Sequence, residues 1–268
     1  MPKSSPIDTP RPPVRLSRRG VLGGALALGA CQATPYDAAS VPLGPPAYVM
    51  RRYGEIFDGG FRIAPVPQRY LSERTYRVTV AYTGPEPPGT IVVDPYARVL
   101  YFVTGPSRAF RYGIAVGRAG KGFSGNAVIR RKEEWPSWQP TQNMIRTEPQ
   151  FYAQYADGLP GGPTNPLGAR ALYLYKGRRD TYYRIHGTND VKSIGHATSA
   201  GCIRLFNHDI LDLYERVPLG TPVTVRSAGD SLAFEGRFIE GPDGFLERVA
   251  PPTVWPSGWD LPPIEPVL

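Results

Sequence analysis

Sulfur and imidazole are scarce in this chain: two cysteines, three histidines and three methionines among 268 residues. A zinc site built from such residues needs three or four ligands at recognisable spacings. No such grouping is present, so neither a metal nor another cofactor is expected. A dense basic stripe is missing too. The formal charge is +8, but the first thirty residues carry +4 of it (Lys3, Arg11, Arg15, Arg18 and Arg19 against Asp8), and the remaining +4 is spread thinly. The clusters Arg130-Arg131-Lys132 and Lys176-Gly177-Arg178-Arg179 read as a strand end or hairpin tip. Nucleic acid is therefore not an expected partner. No internal repeat is present.

Proline (31), glycine (30) and tyrosine (16) are plentiful. That balance suits strands and turns rather than long helices, since aromatic side chains fit a pleated, half-buried surface. The length allows one good-sized core with appendages.

The amino terminus reads as an address. Ser17-Arg18-Arg19-Gly20-Val21-Leu22 is followed by uncharged residues as far as Ala30, a basic segment plus an apolar stretch too short to span a bilayer permanently. Gly20, Gly23 and Gly24 argue against a first domain helix, and the paired arginines match a twin-arginine export signal. Leu28-Gly29-Ala30-Cys31 resembles the bacterial lipobox, in which the cysteine is lipidated and becomes the new amino terminus. Gln32, rather than Asp, follows it. The expected product is an exported lipoprotein held at a membrane through Cys31, in the periplasm, with the outer membrane favoured. With Cys31 acylated or removed, the usual one-disulfide reading of two exported cysteines fails. The thiol of Cys202 is then left for chemistry.

Residues 31–75 lack sustained periodicity and read as a tether. Alternation begins at Arg77-Val78-Thr79-Val80-Ala81-Tyr82. Further strands are expected over Ile91–Val93, Val99–Val103, Arg111–Val116, Ala171–Tyr175, Tyr182–Ile185 and Thr221–Val225. Residues 133–167, rich in proline, glycine and tryptophan, read as a lid or binding loop. One helix is expected, with Asn207 as N-cap, Asp209 in the first turn, an apolar face of Ile210, Leu213, Tyr214 and Val217, and Pro218 as its stop. Residues 227–268 read as an extension without a fold of their own.

The chemistry concentrates in Arg184-Ile185-His186-Gly187-Thr188-Asn189, Ser193-Ile194-Gly195 and Ser199-Ala200-Gly201-Cys202-Ile203-Arg204-Leu205. A thiol attacks a carbonyl as thiolate and so needs a base nearby. His186 ends a strand, where its ring can project beyond the sheet. Cys202 precedes a helix, where backbone N–H groups can meet a developing oxyanion.

These segments resemble the L,D-transpeptidase (YkuD-like) catalytic domain. That family shows a His-Gly-Thr-Asn strand end, a Ser-Ile-Gly and then Ser-His-Gly-Cys-Ile-Arg. The resemblance covers roughly residues 88–226 and includes Asn165-Pro166-Leu167-Gly168-Ala169-Arg170-Ala171-Leu172. It implies a mostly β sandwich or barrel with one or two short helices and a long lid loop, spanning residues 76–226. It also implies Cys202 as nucleophile, His186 as base and the carbonyl of Gly187 as the group that orients the ring. Backbone amides around Gly201 and Cys202 would form the oxyanion hole, supported by Ser199 and Arg204. Substrate contacts are expected at Tyr183, Thr188, Asn189 and Met144. The implied partners are peptidoglycan stem peptides, with an outer-membrane protein as one alternative acyl acceptor. Further alternatives are L,D-carboxypeptidase or exchange activity at the same site, and a weakly active peptidoglycan-binding lipoprotein. One departure stands out: Ala200 occupies the place of the family's frequent auxiliary histidine. His196, six residues before Cys202, is one candidate to compensate but reads rather as an exposed loop residue, and His208 reads as structural or exposed.

Overall fold

Apolar residues recur at every second position in most expected strands, and in the central ones both alternating sets are apolar. Such strands must be covered on both faces. The computed structural model describes residues 44–117, 124–198 and 201–249. The signal segment, Cys31, Ser199 and Ala200 lie outside the described residues.

Thirteen strands are present among them: β1 (Ile56–Asp58), β2 (Phe61–Ile63), β3 (Val78–Ala81), β4 (Ile91–Asp94), β5 (Val99–Gly105), β6 (Arg108–Gly113), β7 (Gly125–Glu134), β8 (Arg170–Lys176), β9 (Arg179–His186), β10 (Ile203–Arg204), β11 (Pro222–Val225), β12 (Phe238–Glu240) and β13 (Leu246–Arg248). Nine of them form one sheet in the order β10-β9-β8-β7-β11-β4-β5-β6-β3. The β9–β10 and β4–β11 pairs are parallel; the other pairs in it are antiparallel. Beyond β6, Ala115 exchanges two 2.9 Å backbone hydrogen bonds with Arg204 of β10. The chain leaving β6, the strand next to the β3 edge, thus meets the strand at the other edge, and the sheet curls toward closure.

The two faces of β4 and β5 feed different cores. Ile91, Val93, Leu100 and Phe102 enter the main core with Ile129, Leu172, Leu174, Ile185, Ile210 and Leu213. Val92, Val99, Tyr101 and Val103 pack on the opposite face with Tyr82, Ala97 and Ala109.

The architecture is mostly β, as the sequence implies, but helices are more numerous than the one or two expected. They are α1 (Ala47–Arg52), α2 (Gln142–Thr147), α3 (Pro149–Tyr152), α4 (Asn207–Arg216) and α5 (Ala228–Glu235). Only α4 and α5 exceed two turns, so the others carry too little sequence to show a helical period. Along α4, Ile210 and Leu213 are buried as expected and Val217 ends the helix. Asn207 is not its N-cap: Phe206 occupies that position and no side chain caps the helix. The Asn207 amide oxygen instead accepts from the backbone N–H of Ala169 at 3.0 Å.

Residues 44–76 pack on the domain through Val49, Tyr53, Val66, Leu71 and Tyr76, which join Ala115, Ile194 and Phe206 in a third apolar cluster. The Tyr53 hydroxyl donates to Asp209 at 2.7 Å and accepts from the Arg77 N–H at 2.6 Å. After β11, Arg226 pairs with buried Asp94 and with Glu235. A capping box between Ser227 and Asp230 starts α5. The β12–β13 hairpin is held by Arg98, which pairs with Glu240 and donates to the carbonyls of Gly195 and Gly244. Among the described residues no helix is long and apolar enough to cross a membrane.

Candidate active site

The short parallel pairing of β9 and β10 sets the geometry. Ile203 faces Ile185, and Arg204 faces His186. Cys202 directly precedes β10. Registered residues of neighbouring strands share a face, and so do residues two apart on one strand. His186, Arg184 and Arg204 therefore project from the same side of the sheet. The Cys202 sulfur approaches β9 at the backbone of Tyr182 and Arg184, four and two residues before His186.

His186 is 3% exposed. Its Nδ1 lies 2.6 Å from the carbonyl oxygen of Gly187. A carbonyl only accepts, so Nδ1 carries the proton and Nε2 presents its lone pair. Burial pushes the imidazole down to about 3, and the Arg204 and Arg184 guanidiniums push the same way, against the raising influence of the Gly187 and Leu167 backbone. The ring is therefore neutral throughout the physiological range.

A Cβ at Gly187 would stand 2.2 Å from Oδ1 of Asn207 and 3.0 Å from Ile210, so a larger residue there would have to displace both. The helix α4 thus packs directly on the backbone whose carbonyl holds the imidazole.

Cys202 follows Gly201, whose φ of +136° is a backbone value that side-chain-bearing residues rarely adopt. The thiol is partly buried, and its Sγ lies 4.0 Å from the carbonyl oxygen of Tyr182. Burial raises its pKa, opposed by the Arg184 backbone and by the charges of Arg184 and Arg204. Thiol and imidazole are thus both neutral at rest. A proton leaves sulfur for nitrogen only as sulfur bonds to an electrophile, which suits acyl transfer to a bound carbonyl.

The other expected residues are placed less uniformly. Thr188 is buried, and its hydroxyl accepts from the Asp190 N–H at 3.0 Å in a tight turn. Asn189 is exposed and donates to the carbonyl of Thr164 at 2.8 Å, tying the strand end to the loop before β8. Tyr183 lies on β9 beside Arg184, which donates to its carbonyl. Met144 sits on α2, in the excursion between β7 and β8, rather than on the strands carrying the thiol and imidazole. His208 is buried and bonds the carbonyl of Gly54 through Nε2 at 2.6 Å. The Nδ1 of His196 bonds the carbonyl of Gly244 at 3.1 Å, and the ring packs on Phe245. Both are structural.

The excursion itself is anchored at its base. Buried Asn165 donates to the carbonyls of Pro136 and Pro160 and accepts from the N–H of Leu167. Trp135 and Arg170 both donate to Asp58. Trp138 packs on Tyr152 and Tyr155.

Sequence reasoning missed the row leading to the thiol. Arg131 of β7 faces Tyr173 of β8, which faces Arg184 of β9. The two guanidiniums lie 4.4 and 4.3 Å from the Tyr173 ring centre. Arg184 is further locked by two hydrogen bonds to Asp180, at 2.7 and 2.9 Å. The only signal for this row is strand register, which the separate strands do not reveal.

The family model described as "YkuD: L,D-transpeptidase catalytic domain" matches residues 88–225. The chain is 38% identical over 143 residues to the "Probable L,D-transpeptidase ErfK/SrfK" of Escherichia coli K12, covering 51% of this chain and 43% of that protein. It is also 38% identical over 137 residues to the "Probable L,D-transpeptidase YbiS" of the same organism, covering 50% and 43%. The chain thus spans less than half the length of these relatives. Among solved structures, a "Probable carnitine operon oxidoreductase caia from Brucella melitensis" is 49% identical, with a TM-score of 0.40 over 57% of this chain and 95% of that one. With its matched span covering eight of the nine strands of the large sheet, β4 to β11, and both Cys202 and His186 inside it, this chain belongs to the L,D-transpeptidase catalytic domain family.

Proposed function

We propose that the protein is a peptidoglycan L,D-transpeptidase with Cys202 as nucleophile and His186 as general base. What supports the reading is that the Cys202 sulfur lies against strand β9, which ends in His186, while the Gly187 carbonyl fixes the tautomer of that ring. The donor is a tetrapeptide stem. Its scissile bond joins diaminopimelate at position three to the terminal D-alanine. The Cys202 proton passes to Nε2 of His186 as sulfur bonds to the diaminopimelate carbonyl carbon. The resulting oxyanion faces the backbone N–H groups around Gly201 and Cys202. As the intermediate collapses, the C–N bond breaks and the imidazolium protonates the departing D-alanine amine. A thioester remains. An acceptor amine then attacks it, gives its proton to His186, and releases the thiolate, which takes that proton back. With a second diaminopimelate amine the product is a 3–3 crosslink; with a protein amine it is attachment; with water or a D-amino acid it is trimming or exchange. Digestion of sacculi after incubation distinguishes these products.

The test is covalent capture of the thiol. Incubated with a carbapenem, an acylating electrophile, the wild-type protein is expected to gain the mass of one adduct, and Cys202→Ala none. No adduct on wild type, or an undiminished one on the variant, removes Cys202 from the chemistry. For the amino-terminal segment, the same reading holds Cys31 to be lipidated and the enzyme to be membrane-tethered. Cys31→Ala is then expected to release the protein into the soluble periplasmic fraction; wild type already soluble after osmotic shock would rule the tether out.

A further inference from the structure

The strand that ends in His186 is interrupted just before Arg184. Tyr173 of β8 faces Arg184, while Tyr175 faces Asp180. A single β8 residue, Leu174, is therefore opposed by three residues of β9, Thr181, Tyr182 and Tyr183. The bulge is a built feature, because its backbone donors are met locally. The Thr181 hydroxyl donates to the Leu174 carbonyl at 2.6 Å and accepts from the Tyr183 N–H at 3.2 Å. The Tyr182 N–H donates to Asp180 at 2.8 Å, and Asp180 is itself gripped by Arg184.

At the crest, Tyr182 has a φ of +62°. Glycine and asparagine adopt this left-handed conformation readily, whereas a bulky side chain there is a strained exception. Strained residues persist where the surrounding structure over-determines them, and they cluster at functional sites. Two consequences of this conformation converge on Cys202. The Tyr182 carbonyl is the one lying 4.0 Å from the sulfur. The Tyr182 ring is 76% exposed, an unusual state for an aromatic side chain in a sheet, and its centre lies 6.0 Å from Cζ of Arg184, whose backbone hydrogen-bonds the Cys202 thiol. Backbone and ring therefore both address the thiol face.

We propose that Tyr182 is a positioning residue for the thiol through its left-handed backbone, and that its ring is a wall of the donor site against which the aliphatic part of the stem peptide packs. The carbonyl accepts from the S–H and holds it in one rotamer until substrate arrives. The ring gives the donor an apolar surface beside Arg184. This rests on the reading of Cys202 as the nucleophile.

Two substitutions separate backbone from ring. Tyr182→Asn keeps a residue tolerant of positive φ and removes the ring. It is expected to leave kcat within about two-fold, to raise KM for a disaccharide tetrapeptide roughly five- to ten-fold, and to leave the pH profile of Cys202 alkylation unchanged. Tyr182→Val introduces a branched side chain that resists this conformation. It is expected to lower kcat by about ten-fold or more and to move the alkylation midpoint to lower pH, because a lost carbonyl acceptor no longer favours the protonated thiol. Alkylation is followed with iodoacetamide on the full chain, by mass of the tryptic peptide 193–204, which reports Cys202 apart from Cys31. A Val variant with wild-type kcat and alkylation profile would overturn the positioning role, and an Asn variant with wild-type KM would overturn the substrate wall. If wild type turns over no tetrapeptide, the proposed reaction fails, while the alkylation comparison still decides the role of the Tyr182 backbone.

Discussion

His186→Gln is expected to lower kcat by about 10²–10⁴-fold, the range that a positioned general base contributes, with little change in KM. Glutamine fills much of the imidazole's space and can bond the Gly187 carbonyl, but it offers no basic nitrogen to the thiol. The same factor should appear in the rate of carbapenem acylation, which isolates the first half of the reaction. The wild-type pH profile carries a second expectation. Burial holds the ring at about 3, far below the ordinary histidine value of 6.5. Acylation should therefore show no loss centred near pH 6.5 as the medium is acidified. A variant retaining more than a tenth of the wild-type rate would remove His186 as the base. A wild-type acid limb at pH 6.5 would mean that the imidazole is solvated in the working enzyme.

Asp209→Asn is expected to produce the largest change in how stability varies with pH. Asp209 is completely buried in the first turn of α4, and one of its carboxyl oxygens, Oδ2, has no hydrogen-bond partner. Burial raises its pKa from 3.8 to about 7, opposed by Arg77 and by the Tyr53 hydroxyl. Between these values the folded protein holds a proton that the unfolded chain releases. Stability from this group is full below pH 3.8 and is lost as pH rises toward 7. Every tenfold gain in proton affinity on folding is worth about 1.4 kcal/mol, so the whole window is worth on the order of a few kcal/mol. His186 contributes the opposite slope between about 3 and 6.5, because its folded pKa is lowered. Subtracting the variant's curve from the wild type's removes that common part. Urea midpoints measured from pH 4 to 8 should fall more steeply for wild type than for Asp209→Asn, and parallel curves would show that the carboxylate is solvated. Asparagine keeps an acceptor for Tyr53, so the contact that pins residues 44–76 to α4 survives the substitution.

The parts of this molecule that show in the sequence are those whose neighbours do not matter. Strands β4, β5, β8 and β11 announce themselves by their own apolar residues. The His186 and Cys202 segments do so through motif residues with individual chemical roles. Strand β7 does not, because Arg131-Lys132-Glu133 reads as a solvated charge run. In the fold the two faces of that run are put to different uses. Arg131 stacks on Tyr173, while Glu133 accepts a hydrogen bond from the Tyr173 hydroxyl. Lys132 turns to the other side and donates to the carbonyls of Tyr214 and Val217, satisfying the last turn of α4. The bulge at 181–183 is hidden for a similar reason, since register belongs to a pair of strands and not to either one. Asn207 looks like a helix cap by residue type, yet its oxygen is engaged with Ala169, a partner thirty-eight positions away.

The carboxyl-terminal hairpin gives this last point a temporal side. Gly244 and Phe245 rest on Gly195 and His196, in the loop that connects His186 to Cys202. A side chain at Gly195 would run into the Phe245 ring. Both hairpin residues lie outside the span 88–225 that matches the family. They are also synthesised some forty residues after Cys202. A nascent chain that already holds every motif residue still lacks the piece that steadies their connecting loop. The site is thus finished from outside the matched domain, and late, so the thiol meets its completed surroundings only after residue 245 has been made.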